Sequence, residues 1–113
     1  MSAPARGDIW LVDFGTPIGR EQAGARPAVV LSADLLNESR AGVVIVVPCT
    51  TTHRGLPSHI ELDAGESGLD VTSYAKCEDL KSISEERLVS RLGRAPVEAV
   101  FAMSQAVRFL LDL

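Results

Sequence analysis

The chain has 113 residues, of which 46% are hydrophobic and 23% are charged, and its formal net charge is −4. This length suits one domain with a real core, and the composition excludes a largely disordered chain. A coat protein that binds nucleic acid over its whole surface would be basic, so the acidic balance argues against that class. We therefore expect a single domain over residues 1–113.

The charges are unevenly distributed along the chain. Residues 1–60 carry five basic and five acidic side chains, so the whole net charge of −4 lies in residues 61–113. If the chain binds RNA, we expect the binding site in the first half, where arginines can form a local patch of positive charge.

Location and redox state follow from the apolar runs and the cysteines. No apolar run approaches the roughly 18 residues that span a bilayer, and the first residues lack the apolar centre of a signal peptide. We therefore expect a cytoplasmic protein without membrane contact. Cys49 and Cys77 are the only cysteines, and in a reducing cytoplasm they are expected to be buried small hydrophobes, not a disulfide or a zinc site.

The first half of the chain predicts three strands and one charged loop. The strands cover residues 7–15, 27–32 and 43–47, the charged loop covers 20–26, and a short turn or helical turn covers 34–37. Five consecutive β-branched residues at 43–47 indicate a strand that is buried on both faces. Pro48 is expected to end that strand.

The second half predicts four more strands and a helix. The strands cover residues 58–62, 71–77, 88–93 and 79–83, the last of which is a short strand or an extended segment. A turn covers 53–57 and a helical turn covers 84–87. A helix then starts with Pro96 at its first position. The apolar residues at helical spacing that should face the sheet are Val97, Val100, Phe101, Val107, Leu110 and Leu111. Short strands followed by one helix predict a mainly β (β+α), barrel-like fold.

The candidate chemistry centres on an arginine and a group of hydroxyls. Arg26 precedes Pro27 at the mouth of the second strand, where its guanidinium can donate two parallel hydrogen bonds to a phosphate. Thr50 and Thr51 follow the third strand and can donate to phosphate oxygens without charge. The sequence has no zinc-ligand spacing, phosphate-binding glycine loop or serine nucleophile elbow. This inventory fits metal-free phosphoryl chemistry on RNA, with no cofactor and no metal.

Several motifs resemble the MazF/PemK/Kid toxins of bacterial toxin–antitoxin modules. They are RGDIW at 6–10, GREQAGARPAVVLS at 19–32, VPCTT at 47–51, GLP at 55–57 and KSI at 81–83. The resemblance implies an SH3-like β-barrel of the PemK/CcdB type with a C-terminal helix. It also implies a homodimeric, metal-independent endoribonuclease that cuts single-stranded RNA to 2′,3′-cyclic phosphate and 5′-hydroxyl ends. A cognate MazE-like antitoxin would inhibit it by laying its C-terminal tail over the RNA groove.

The resemblance carries over residue by residue. Arg26 and Thr50 match the family's arginine before the proline and the threonine that ends the third strand, and Glu21 matches a carboxylate of the same loop. Where some members carry a histidine before that glutamate, this chain has Arg20, which excludes a histidine base there. Where Kid-like members carry an arginine and an aspartate two residues apart, this chain has Lys76 and Glu78.

The general base and the remaining RNA contacts stay open at this point. The candidates for the base are Glu78, Glu21 and His53, in that order. The expected catalytic residues are Arg26, Thr50, Glu21 and Glu78, and the expected RNA-binding residues are Arg20, Thr51, His53, Arg54 and Lys76. Two other functions compete with RNA cleavage. One is a CcdB-like DNA gyrase poison without nuclease activity, and the other is an inactive module that only binds antitoxin or RNA.

Overall fold

The computed structural model describes residues 3–15 and 24–113. Its strands are β1 (Asp8–Asp13), β2 (Ala25–Val30), β3 (Val43–Thr50), β4 (His59–Leu62), β5 (Ser73–Lys76), β6 (Lys81–Ser84) and β7 (Leu88–Arg94). The helices are α1 (Asp34–Asn37) and α2 (Val97–Leu111), and single 3-10 turns lie at Cys77–Asp79 and Glu85–Arg87. Each predicted strand is present, with ends that differ by a few residues.

The strands form one antiparallel sheet in the order β4-β5-β3-β2-β1-β7, with β6 beside β3. Within residues 3–15 and 24–113 no ladder joins β6 to β7, so the barrel is not closed. The mainly β architecture with a C-terminal helix is as predicted.

The prediction that Pro48 ends the third strand is wrong, because β3 continues through Pro48 to Thr50. The position of Pro48 between two ladders explains why it is tolerated. On one side β3 pairs with β6 through residues 43–46 and then with β5 at residues 49–50. Pro48 falls in the gap between these partners, where its missing N–H removes no hydrogen bond from either ladder.

Both faces of the central strands are buried, as the β-branched run predicts. One face contributes to a barrel core made of Trp10, Val12, Phe14, Ala28, Val30, Val44, Val46 and Ile83. The opposite face packs under α2 together with Cys49 and Cys77. Both thiols are free and buried, as expected. Burial raises the pKa of Cys49 to about 12 and that of Cys77 to about 11.

Helix α2 packs through a different stripe from the one predicted. Pro96 is the N-cap and not the first helical residue. Ala99 and Met103 are the buried positions, and Val100 and Val107 pack partly against the same core. Val97, Phe101, Leu110 and Leu111 are exposed, with 81% of Val97 and 53% of Phe101 accessible. Apolar residues occur on several sides of this helix, so their spacing alone does not identify the side that packs on the sheet. The buried side contains Ala99, whose small side chain allows close packing.

No helix in the described part of the chain is long and apolar enough to cross a membrane.

Candidate functional site

Four side chains form a row across one face of the sheet, which we call the site row: Arg26, Thr50, Tyr74 and Glu61. Thr50 of β3 lies opposite Tyr74 of β5, and Tyr74 lies opposite Glu61 of β4. The β2–β3 register pairs Ala28 with Pro48, and continuing it by two residues puts Arg26 opposite Thr50. Directly opposite residues share a face, with Cα atoms about 4.5–5.5 Å apart.

The two predicted central residues, Arg26 and Thr50, therefore lie on the same face of neighbouring strands, each two residues beyond the Ala28–Pro48 pair. Arg26 is exposed and Thr50 is half-buried. The Oγ1 atom of Thr50 accepts a hydrogen bond from the backbone N–H of Thr52 at 3.2 Å. That bond occupies an acceptor position of Oγ1 and leaves the hydroxyl proton for another acceptor. A planar guanidinium beside a hydroxyl donor is suited to hold the oxygens of one phosphate.

The segment after β3 brings one predicted RNA contact against the site row. The ring of His53 lies 5.1 Å from the ring of Tyr74, centroid to centroid, at an interplanar angle of 38°. Thr51 and Arg54 flank it and are exposed. All three are thus available on the surface next to Thr50.

Lys76 and Glu78, which are matched to the arginine and aspartate of Kid-like members, contact different residues. Lys76 lies opposite His59 on β4, and its Nζ atom is 2.8 Å from a carboxylate oxygen of Asp79. Glu78 binds His59 instead, with 2.7 Å between Oε2 and Nε2. Ser58 donates its hydroxyl to the other carboxylate oxygen of Glu78 at 2.8 Å.

These contacts set the charge state of Glu78. Partial burial acts to raise its pKa, but hydrogen bonds from His59 and Ser58 and the backbone outweigh that effect, so the pKa lies below its ordinary value. The side chain of His59 is 2% exposed, and within the described residues its Nδ1 atom has no hydrogen-bond partner. Glu78 is therefore a carboxylate that holds a buried histidine.

Acid should weaken this contact and with it the fold. Because the pKa of Glu78 is lower in the folded chain than in the unfolded one, its stabilising contribution is present above the unfolded pKa and is lost as pH falls through the folded pKa. We expect Glu78→Gln to be less stable than the wild type at pH 7, with the difference shrinking in acid. Urea unfolding of both proteins from pH 7 to pH 3 measures this. A difference that is constant over that range would contradict it.

Two predicted residues, Arg20 and Glu21, lie outside the described residues. Among residues 3–15 and 24–113 no group of three or more His, Cys, Asp or Glu side chains could hold a metal ion.

The sequence reasoning missed Tyr74, Glu61 and His59 as members of this face. Strand alternation contained the signal. Tyr74 and Lys76 are two residues apart on β5, and His59 and Glu61 are two residues apart on β4, so each pair shares a face. What alternation could not supply is the register that aligns β4 and β5 with Thr50.

The sequence of the chain matches a known protein family and a named relative. Residues 5–111 match the sequence profile described as "PemK-like, MazF-like toxin of type II toxin-antitoxin system". The chain is 36% identical over 113 residues to a Mycobacterium tuberculosis protein named Endoribonuclease MazF9, covering 96% of each chain.

Solved structures agree with this match. MazF from Deinococcus radiodurans superposes with a TM-score of 0.87 at 25% identity, and the match covers 100% of both chains. A MazE–MazF structure from the same organism gives a TM-score of 0.84 at 25% identity, covering 100% of this chain and 99% of the other.

Proposed function

Because the chain belongs to the PemK-like, MazF-like family of toxins from type II toxin–antitoxin systems, we propose that it is an endoribonuclease that cleaves single-stranded RNA. The observation that carries this proposal is the Ala28–Pro48 pairing of β2 and β3, from which Arg26 and Thr50 follow two residues on, on the same face of the sheet. The M. tuberculosis relative is named an endoribonuclease, which supports the same activity here. The match over residues 5–111 supports one domain over residues 1–113.

The proposed reaction is an attack of the ribose 2′-oxygen on the neighbouring phosphorus. The 2′-hydroxyl gives up its proton, the new O2′–P bond forms, and the P–O5′ bond breaks. The leaving 5′-oxygen takes a proton, which leaves a 2′,3′-cyclic phosphate and a 5′-hydroxyl end. The nucleophile belongs to the RNA, so the protein supplies geometry, proton transfer and stabilisation of charge.

Arg26 and Thr50 are proposed to stabilise the phosphoryl oxygens in this reaction. The guanidinium donates two charge-assisted hydrogen bonds, and the Thr50 hydroxyl donates a third to the oxygens on which charge builds up. Arg26 does not take the 2′-proton, because the pKa of arginine lies above about 12.

The identity of the general base is a separate part of the proposal. Both carboxylate oxygens of Glu78 already accept hydrogen bonds and its pKa is lowered, so it is a weak proton acceptor and acts as a positioning residue for His59. Glu21 and His53 are the remaining candidates. Arg20, Thr51, Arg54 and Lys76 are the proposed RNA contacts.

Purified protein incubated with mixed-sequence RNA in excess EDTA tests the proposal. We expect cleavage at defined sequences, with 2′,3′-cyclic phosphate and 5′-hydroxyl ends identified by end-specific sequencing. Persistent intact RNA, or tight RNA binding without turnover, would contradict the activity. The CcdB-like reading is not favoured, and it would require cleaved gyrase–DNA complexes in expressing cells whose mRNA stays intact.

The partners proposed for this enzyme are those of a toxin–antitoxin module. One of the two matched D. radiodurans structures is of MazE–MazF, and we propose that a MazE-like antitoxin covers the site row with its C-terminal tail. We also propose a homodimer that acts in the cytoplasm, where mRNA is translated.

Replacing Thr50 tests the hydroxyl in particular. Thr50→Val keeps the shape of the side chain and removes its donor, so we expect cleavage to fall by about a hundredfold. Thr50→Ser is the matched control, because it retains a hydroxyl, and should stay within about tenfold of the wild type. The measurement is kcat/KM on a labelled oligonucleotide, with circular dichroism to confirm the fold. Equal rates for the two variants would exclude a role for the hydroxyl.

A further inference from the structure

We propose that Tyr74 and His53 form a stacking platform for one nucleobase next to the scissile phosphate. This inference rests on the proposed function and adds to it a subsite for a base. The subsite consists of two aromatic rings, neither of which belongs to the core of the protein.

The environment of Tyr74 is the first argument. It is the only tyrosine of the chain, and it lies outside both buried clusters, whereas Trp10 and Phe14 belong to the barrel core. Its backbone lies in β5 between β3 and β4, so the position from which the half-buried ring extends is fixed by strand pairing. A ring that packs in no core yet is anchored by strands on both sides is suited to present its π-face to a ligand.

His53 extends this surface. Its ring lies over that of Tyr74 with 5.1 Å between centroids and a tilt of 38°, and the residue is exposed. The pair of rings therefore lies at the protein surface and outside the buried core. Single-stranded RNA is recognised largely by splaying out bases and stacking them on aromatic rings such as tyrosine and histidine.

The place of the platform in the site row connects it to the phosphate. Tyr74 lies directly opposite Thr50, about one strand spacing of 4.7–4.9 Å away. The same ribose that presents its phosphate to Thr50 can thus reach Tyr74 with its own base or with the neighbouring one.

The charges at the two ends of the row give the RNA a direction. Arg26 lies at one end and attracts a phosphate, whereas Glu61 lies at the other end, opposite Tyr74, and repels one. An uncharged base is not repelled by Glu61, so the phosphate backbone of the RNA lies on the Arg26 side and the base lies on the Tyr74 side.

The test is a double-mutant cycle between protein and RNA. The probe is an oligonucleotide carrying a sequence that the wild type cleaves, with 2′-O-methyl at the cleaved position to block turnover. A series of such probes replaces one nucleotide at a time with an abasic residue. Affinities are measured for the wild type, for Tyr74→Leu, which keeps apolar bulk without a π-face, and for Tyr74→Phe, which keeps the ring.

We expect Tyr74→Leu to bind the complete probe about tenfold more weakly and Tyr74→Phe to bind within about threefold of the wild type, as befits the loss or retention of one base stack. At one position flanking the cleaved bond, the abasic probe should weaken the wild type but not Tyr74→Leu. Equal abasic effects in both proteins at every position would show that the two rings only fasten the loop after β3, and would overturn the platform. A wild type that neither cleaves nor binds any of these RNAs would overturn the proposed function as well.

Discussion

Replacing Arg26 with alanine should lower RNA cleavage by about a thousandfold or more. Removal of a single donor to a transition-state oxyanion lowers turnover by about a hundredfold to a thousandfold, and a guanidinium offers two such donors with a full charge. Its place on β2, opposite Thr50 by the continued register, lets both groups address the same phosphate. The measurement is single-turnover cleavage of a labelled oligonucleotide that the wild type cuts.

Two variants separate catalysis from general attraction to RNA. Arg26→Lys keeps the charge but loses the planar pair of donors, so its rate should fall between those of the wild type and Arg26→Ala. Arg54→Ala removes an exposed charge of the loop after β3 and should mainly weaken RNA binding, with a stronger effect at low salt. A near-wild-type rate for Arg26→Ala would remove Arg26 from the mechanism.

Replacing Gly93 with alanine should destabilise the fold by about 3 kcal/mol or more, because the new methyl group has no space. A Cβ atom at Gly93 would lie 1.9 Å from the carbonyl oxygen of Ser67 and 2.9 Å from the Cα atom of Gly68. The obstructing atoms belong to backbone, and Arg94 donates its N–H to the same Ser67 oxygen at 3.1 Å. Relief would thus require the loop before β5 to move away from β7. Urea unfolding measures the loss.

Gly55→Ala is the matched control for this prediction. Gly55 has a positive φ of 66°, and a Cβ atom there would meet nothing within 4 Å. Its replacement should cost only the left-handed conformation of a non-glycine residue, about 1–2 kcal/mol. Equal losses of unfolding free energy in the two variants would mean that the backbone at Gly93 and Ser67 moves apart at little cost, which would contradict the prediction.

The features that can be predicted from the sequence are those that depend on residues close together in the chain. The β-branched run of residues 43–47 predicts a strand buried on both faces, and its neighbours in the fold occupy both sides of it. Arg26 and Thr50 stand out because each adjoins a strand and carries a donor suited to phosphate. The β2–β3 register then puts both on one face of neighbouring strands, an arrangement that their spacing of 24 positions in the chain does not reveal.

The features that the sequence did not predict depend on partners that are distant in sequence. Pro48 is accommodated inside β3 because the neighbouring strand changes from β6 to β5 at that point. The carboxylate oxygens of Glu78 accept hydrogen bonds from Ser58 and His59, which lie 20 and 19 positions away in the chain. In each case the deciding contact joins segments that are many residues apart.

The amino-acid sequence by itself thus determined the succession of strands along the chain, the C-terminal helix and the buried thiols, because periodicity and β-branching are properties of neighbouring residues. It also proposed Arg26 and Thr50 as site residues from their donor chemistry. Only the tertiary structure decided which side of α2 faces the sheet, which residues hold Glu78, and that Tyr74 stands beside Thr50 with His53 over its ring. Those outcomes depend on strand register, and register is set by the packing of the whole sheet against its two cores.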